Sequence, residues 1–276
     1  MDIRVSIQGY EGSFHQVAAQ TYFGKDVTVI PCANFREVVK IASNPIESEG
    51  GVMAIENSIA GSILPNYTLL QKSTLTIVGE VYLPIEQHLL VEPGVRFSDI
   101  REVHSHHMAL QQCMDYLGKY PWKLVETEDT ALSAKHIHQK HSKHTAAVAS
   151  ALAAELFQLE ILVPNIHTQK NNYTRFLILE PKTTAKRVSN ANKASIQFST
   201  NHLKGSLVKV LAVIADHHIN LSKLQSMPIA GTNFKYSFHA DLEFDDVLQF
   251  KDAFIELQKV TEQLEVYGIY KNGNIH

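Results

Sequence analysis

Short apolar runs alternate along the chain with segments whose apolar residues recur every three to four positions. Residues 4–7 (RVSI), 27–30 (VTVI) and 51–55 (GVMAI) read as strands. Between them, Ser13 is placed to cap a helix reaching about Phe23, with Phe14, Val17, Ala18 and Tyr22 along one face, and Asn34 to cap FREVVKIA. Further strand-like runs are VEPGV (91–95), REVHS (101–105), KLVE (123–126) and AAVAS (146–150), separated by helical patterns at 108–119 and 129–139. This β-α alternation predicts an open, mostly parallel sheet. Sheets of that kind hold ligands at the carboxyl ends of strands, beside helix N-termini.

The pattern breaks at residues 181–192 (PKTTAKRVSNAN), polar and bearing a proline, which read as a linker. Beyond it the order changes. ASIQFS (194–199) is a strand, 205–217 an apolar-rich helix, and 219–228 and 234–244 alternate like antiparallel strands. A second helix starts at Asp245 or Asp246 and runs through Leu257, and LEVYGIY (264–270) closes as a strand. The order βαββαβ is that of a ferredoxin-like sandwich.

Length and composition narrow the class. At 276 residues the chain is expected to hold about two domains, and 45% hydrophobic with 19% charged residues excludes a disordered or collagen-like chain. The net charge of −3 gives no reason to expect nucleic acid or an anionic membrane as a partner. Cys32 and Cys113 make neither a disulfide framework nor a metal site; the readings left are one bridge or, preferred, two reduced thiols. No basic and apolar leader opens the sequence and no apolar run approaches a membrane span, so a cytoplasmic protein is expected. The histidine tract KHIHQKHSKH (135–144) reads as a solvated helix end, since no cysteine or carboxylate within it completes a metal set.

Four segments carry residue types suited to chemistry. GYEGSF (9–14) sets two glycines and Ser13 before a helix, a cradle for an anion or a plain turn; it fits neither phosphate-loop nor dinucleotide fingerprints. In AIENSIAGS, an apolar strand ends in Glu56, Asn57 and Ser58, which form a cleft-facing cluster or a capped helix start. In VHSHHMALQQC, Ser105 is placed to cap the helix holding Gln111 and Gln112, and His104, His106 and His107 lack a metal-binding spacing. In NNYTRFLIL, Arg175 suits a carboxylate and the Thr174 hydroxyl suits donation to a leaving oxygen; the alternative is a surface loop entering an edge strand.

Taken in order, the four segments resemble prephenate dehydratases of the monofunctional type. GYEGSF stands where that family has a G-P-E-G-T-F-like turn, AIENSIAGS where it has P-I-E-N-S, and SHHMALQQC where it has S-H-P-Q-A-L-x-Q-C. The T-R-F motif is intact at residues 174–176. After the linker, GSLVKVL and HINLSKLQSMP resemble the two signatures of an ACT regulatory domain.

The resemblance implies an α/β catalytic domain over residues 1–180, built like a type II periplasmic binding protein. One lobe would span about 1–75 with 160–180 and the other about 76–159, followed by an ACT domain over 193–276. It implies conversion of prephenate to phenylpyruvate, water and CO2 with no metal or organic cofactor. Thr174 inherits the catalytic role. Glu56, Asn57, Ser105 and Gln112 fall on active-site positions, and Ser58, Arg175, Phe176 and Ser13 are expected beside the substrate. Backbone N–H groups at Ser13 and Ser58 are further candidates to meet its carboxylates.

The same resemblance places a phenylalanine site at Gly205, Ser206, Leu207, Val208, Gln225 and Ser226, between paired ACT domains of a homodimer or tetramer. There Gln225 and Met227 replace the acid and arginine of the family's E-S-R-P. His107 and Met108 replace a Pro-Gln pair, Tyr10 replaces a Pro, and His15 stands where Ser is common. Arogenate dehydratase, with phenylalanine as its product, and a non-catalytic ligand sensor on the same scaffold are the competing readings.

Overall fold

In the computed structural model, residues 3–201, 203–229, 231–233 and 235–273 are described. The first part of the chain runs β1 (Arg4–Gln8), α1 (Phe14–Phe23), β2 (Thr28–Cys32), α2 (Phe35–Ala42), β3 (Gly50–Asn57), β4 (Gly61–Ser62), α3 (Leu64–Gln71) and β5 (Leu75–Pro84). It then enters β6 (His88–Val91), β7 (Glu102–His106), α4 (His107–Gln112), α5 (Met114–Leu117), β8 (Lys123–Thr127), α6 (Thr130–Lys140), β9 (Thr145–Ala149), α7 (Ala151–Leu156) and β10 (Glu160–Val163). It returns through β11 (Tyr173–Pro181). Ser13 and Asn34 cap α1 and α2, as their positions before apolar-periodic runs predict.

Two sheets result, ordered β2-β1-β3-β11-β5 with β4 beside β3, and β10-β6-β9-β7-β8. Both are mixed rather than mostly parallel. β11 runs antiparallel to β3 and β5, and β6 antiparallel to β9 and β10, because the chain crosses between lobes once in each direction. The expected crossings near residues 75 and 160 move accordingly. All of β5 belongs to the first sheet and β10 to the second, so the connections are residues 85–87 and 164–172. These lie side by side, with the Ile85 N–H donating to the Asn172 carbonyl (2.8 Å) and Ile166 N–H to the Gln87 carbonyl (2.8 Å). Of VEPGV only Val91 is strand; Glu92–Gly94 form a turn closed by the Val95 N–H.

The last unit is β12 (Lys193–Ser199), α8 (Ser206–Asp216), β13 (Asn220–Pro228), β14 (Tyr236–Glu243), α9 (Val247–Val260) and β15 (Gln263–Tyr270). Its sheet order is β13-β14-β12-β15, the βαββαβ arrangement read from the sequence. Ala194, Ile196, Phe198, Ala240 and Leu242 face α8 and α9. Phe234, included in one predicted strand, lies outside the described residues.

The other face of this third sheet is covered by the first lobe. Tyr267 and Tyr270 enter one apolar cluster with Met53, Ile55, Leu75, Ile77, Leu177 and Leu179. β15 approaches β5 so tightly that a Cβ on Gly268 would collide with the Ile77 carbonyl oxygen, so only glycine fits there.

Candidate active site

The placement of each candidate begins with a bulge in β3. Val52 and Ala54 pack under α1 with Phe176 and Ile178, whereas Met53 and Ile55 pack on the opposite face. Strict alternation would return Glu56 to the α1 face. The pairing with β11 instead slips by one residue: Phe176 opposes Ala54, but Arg175 opposes Glu56 and Thr174 opposes Asn57. Ile55 is the extra residue, and a bulge re-aims every side chain beyond it. Asn57 thereby meets Thr174, and Glu56 turns with Arg175 toward the C-terminal unit.

Asn57 organises the strand ends. Its Oδ1 accepts from the N–H groups of Ile59 (3.0 Å) and Ala60 (2.9 Å), fixing the turn before β4. Both are donors only, so the amide nitrogen must point the other way. Nδ2 meets Thr174 Oγ1 (3.0 Å), Asn172 Oδ1 (2.7 Å) and the Tyr173 carbonyl (3.2 Å). Thr174, 9% exposed, therefore receives a hydrogen bond and keeps its own proton to give. A donated bond of this kind polarises the hydroxyl and strengthens its donation.

A cavity of about 340 Å³ shares Asn172 with this network, although neither Asn57 nor Thr174 lines it. The Ile59–Ala60 turn, Met108, Gln111, Gln112 and Asp115 of lobe two, and His167–Gln169 with Asn172 of the return crossing line it. Asn172 borders the cavity but is buried: its Oδ1 accepts from Asn57 Nδ2, and its own Nδ2 is enclosed without a partner. The lobes also meet where Ser150 Oγ donates to the Gly12 carbonyl (2.6 Å) and Tyr10 approaches Glu128 (3.4 Å).

Other expected substrate contacts lie elsewhere. Ser105 is fully buried inside β7 and donates to the Val148 carbonyl (2.6 Å); the cap of α4 is His106, so the predicted Ser105 cap is not formed. Ser13 caps α1, and its N–H is committed to the Tyr10 carbonyl (3.1 Å). The Ser58 N–H donates to the Tyr173 carbonyl (2.8 Å), so neither backbone group is free for a carboxylate. Ser58 also caps no helix; its Oγ accepts from Tyr173 N–H (2.9 Å) and donates to the Asn171 carbonyl (3.2 Å). Phe176 is core, meeting His15 edge-on at 4.9 Å, and burial pushes His15 down to about 3.

Arg175 corrects the sequence reading most sharply. It is 5% exposed and faces the C-terminal unit, where Nε meets Glu80 (2.6 Å), one terminal nitrogen meets Asp241, and the other meets the Tyr270 hydroxyl (3.0 Å). Lys193 Nζ adds a second cation on Glu80 (2.9 Å), and Ser195 Oγ donates to Asp241 (2.5 Å). Burial alone would raise Asp241; the Arg175 guanidinium and the Ser195 hydroxyl reverse this and hold its carboxyl below the ordinary value. Glu56 likewise leaves the cleft for Lys223 of β13 (2.5 Å).

In the C-terminal unit, Gly205 takes a left-handed φ of 82° before α8. Ser206 and Leu207 line a cavity of about 200 Å³ with Thr200, Asn201, Lys235 and Phe238. Val208 is exposed, and Gln225 and Ser226 lie on β13 outside that lining. Elsewhere, Glu92 sits against His138 (3.3 Å) and His141 (3.5 Å), a carboxylate that the local sequence of the histidine tract did not reveal. Cys32 and Cys113 are both free and buried, one in each lobe. Among the described residues no helix is long and apolar enough to cross a membrane.

Comparison with known proteins agrees with this architecture. The family model described as prephenate dehydratase matches residues 5–184. A bifunctional chorismate mutase/prephenate dehydratase of Enterobacter agglomerans is 33% identical over 99% of this chain and 71% of its own length. Arogenate dehydratase/prephenate dehydratase 1 of Arabidopsis thaliana is 36% identical over 97% of this chain and 72% of its own. Among solved structures, GqqA, titled a novel type of quorum quenching acylase, superimposes with a TM-score of 0.87 at 30% identity, covering 98% of both chains. With the family model spanning well over half of its residues and relatives aligned along nearly all of it, this chain belongs to the prephenate dehydratase family.

Proposed function

We propose that the protein converts prephenate to phenylpyruvate by concerted loss of CO2 and the ring hydroxyl, with Thr174 as the donor to the departing oxygen. The observation that carries this reading is the Asn57–Thr174 contact, which leaves the threonine proton free at the lobe junction. Aromatisation of the ring supplies the driving force. The protein has to stabilise charge growing on the leaving oxygen, and an oriented donor in a water-poor site contributes about 2.7–4 kcal/mol to that. Gln112, on the cavity wall, is the donor for a substrate carboxylate, binding it without the cost of burying a countercharge.

The site suits dehydration better than acyl transfer. A nucleophilic hydroxyl needs a base to take its proton. The hydrogen-bond partner of Thr174 Oγ1 is an amide donor, and Ser58 Oγ bonds only to backbone groups. Incubation with prephenate, arogenate and an N-acyl amide in parallel tests the assignment. Phenylpyruvate from prephenate is expected; phenylalanine from arogenate alone, or acyl cleavage alone, overturns it.

Phenylalanine is proposed as the effector, bound at the start of α8 (Gly205–Leu207) between C-terminal units of paired chains. A coupling of about 1–3 kcal/mol is expected. Unchanged turnover at saturating phenylalanine leaves the unit without that role.

A further inference from the structure

β13 contains a bulge of its own. Leu221 opposes Leu242 and packs into the core of the C-terminal unit, but Lys223 opposes Asp241, so Ser222 is the extra residue. The slip turns Lys223 and Met227 off that core and onto the face covered by lobe one, where Met227 joins the shared apolar cluster. Two bulges, at Ile55 and Ser222, therefore aim Glu56 and Lys223 at one another across the domain boundary.

The Lys223 ammonium contacts Glu56 Oε1 (2.5 Å) and Ser62 Oγ (2.8 Å). Glu56 and Ser62 are direct partners across the β3–β4 hairpin, and the next pair outward is Asn57 with Gly61. One cation thus fastens both legs of the hairpin a single residue rise, about 3.3 Å, from the asparagine that orients Thr174. Beyond that pair, Ile59 and Ala60 form a wall of the 340 Å³ cavity. With a side chain only 13% exposed, Lys223 is shielded from competing solvent.

We infer that Lys223 is a positioning residue for the reaction. It acts through Glu56 and Ser62 to hold the hairpin at the spacing that keeps Asn57 on Thr174, so displacement of β13 is felt at the site. The inference rests on the dehydratase reading for its kinetic arm and on the geometry alone for its exchange arm.

The test compares wild type with Lys223→Met, Lys223→Arg, Glu56→Gln and Ser62→Ala in the full chain. Steady-state turnover of prephenate and hydrogen exchange at the amides of Ile59, Ala60 and Ile63 are both read. Lys223→Met is expected to lower kcat about tenfold, the scale of a sub-ångström misplacement, with KM little changed. Hairpin amides are expected to exchange faster while those of β14 keep their protection, and Lys223→Arg restores most of both. Adding Glu56→Gln to Lys223→Met costs little more than either alone, since the two break one contact. Wild-type kcat and unchanged exchange in Lys223→Met overturn the proposal. Should that variant fail to fold, wild-type kcat and exchange in both Glu56→Gln and Ser62→Ala overturn it equally. A wild-type protein inert toward prephenate defeats the dehydratase assignment, while the exchange arm still decides the role of Lys223.

Discussion

Replacing Asn57 with Asp tests the orientation of the Thr174 proton with almost no change of shape. Wild-type Asn57 gives hydrogen bonds to Thr174, the Asn172 side-chain oxygen and the Tyr173 carbonyl, and accepts two from the turn at Ile59 and Ala60. Aspartate keeps the acceptor that shapes the turn but offers Thr174 a second acceptor instead of a donor, while the Asn172 amide, whose Nδ2 has no partner, turns over to donate to the new carboxylate. The threonine proton then turns to residue 57, because a charge-assisted bond to a carboxylate is roughly twice as strong as a neutral one. The reaction loses its oriented donor, about 2.7–4 kcal/mol, which is about 10²–10³ in kcat. The negative charge also repels the substrate's carboxylates and raises KM. A double-mutant cycle separates the two effects. Thr174→Ala removes the same donor, so adding Asn57→Asp to it should leave kcat where Thr174→Ala alone put it. Steady-state assays of phenylpyruvate formation across the four proteins give the answer. Independent, additive losses in kcat, or an Asn57→Asp enzyme with wild-type kcat, would refute the reasoning.

Further predictions concern the domain boundary. Asp241→Asn leaves the Arg175 guanidinium short of one buried partner and should cost about 3–5 kcal/mol, measured from the urea midpoint; a shift below 1 kcal/mol contradicts the burial argument. His239 at the same boundary is pushed down to about 4, chiefly by burial, with Asp241 opposing the shift. Only the unfolded chain takes up this proton between pH 6.5 and 4, so stability is intact above pH 6.5 and falls as the pH approaches 4. The loss is on the order of 3 kcal/mol. His239→Phe should flatten that slope, and an identical pH dependence in the variant rules His239 out. Glu80→Gln should release the hold on both Arg175 and Lys193, lowering the cooperativity of unfolding by loosening the C-terminal unit from lobe one; a single sharp transition at the wild-type midpoint argues otherwise.

Much of the fold was legible because local chemistry announces itself. Ser13 and Asn34 precede apolar-periodic runs and cap the helices that follow. The polar stretch after Pro181 lies between β11 and β12, where the strand order changes. What escaped the sequence was geometry that depends on register. Alternation along GGVMAIEN puts Glu56 on the α1 face, and only the slip at Ile55 moves it away. Arg175 invites a substrate carboxylate when read next to Thr174, yet neighbouring strand residues point to opposite faces, and its partners lie 95 residues upstream and 66 downstream. A signal did exist. Glu80 sits alone in the apolar run LTIVGEVYLP, and a lone acid in such a strand calls for a buried cation. Nothing local marks Lys223, whose direction is set by a second slip in β13.

The most direct test of the account is turnover of prephenate by the purified wild-type protein and by Thr174→Ala, following phenylpyruvate and CO2 together. The wild type should release the two in equal amounts and Thr174→Ala should fall by at least about 10² in kcat. Undiminished release by Thr174→Ala, or none from the wild type, contradicts the assignment of the threonine hydroxyl as the donor that lets the ring oxygen go.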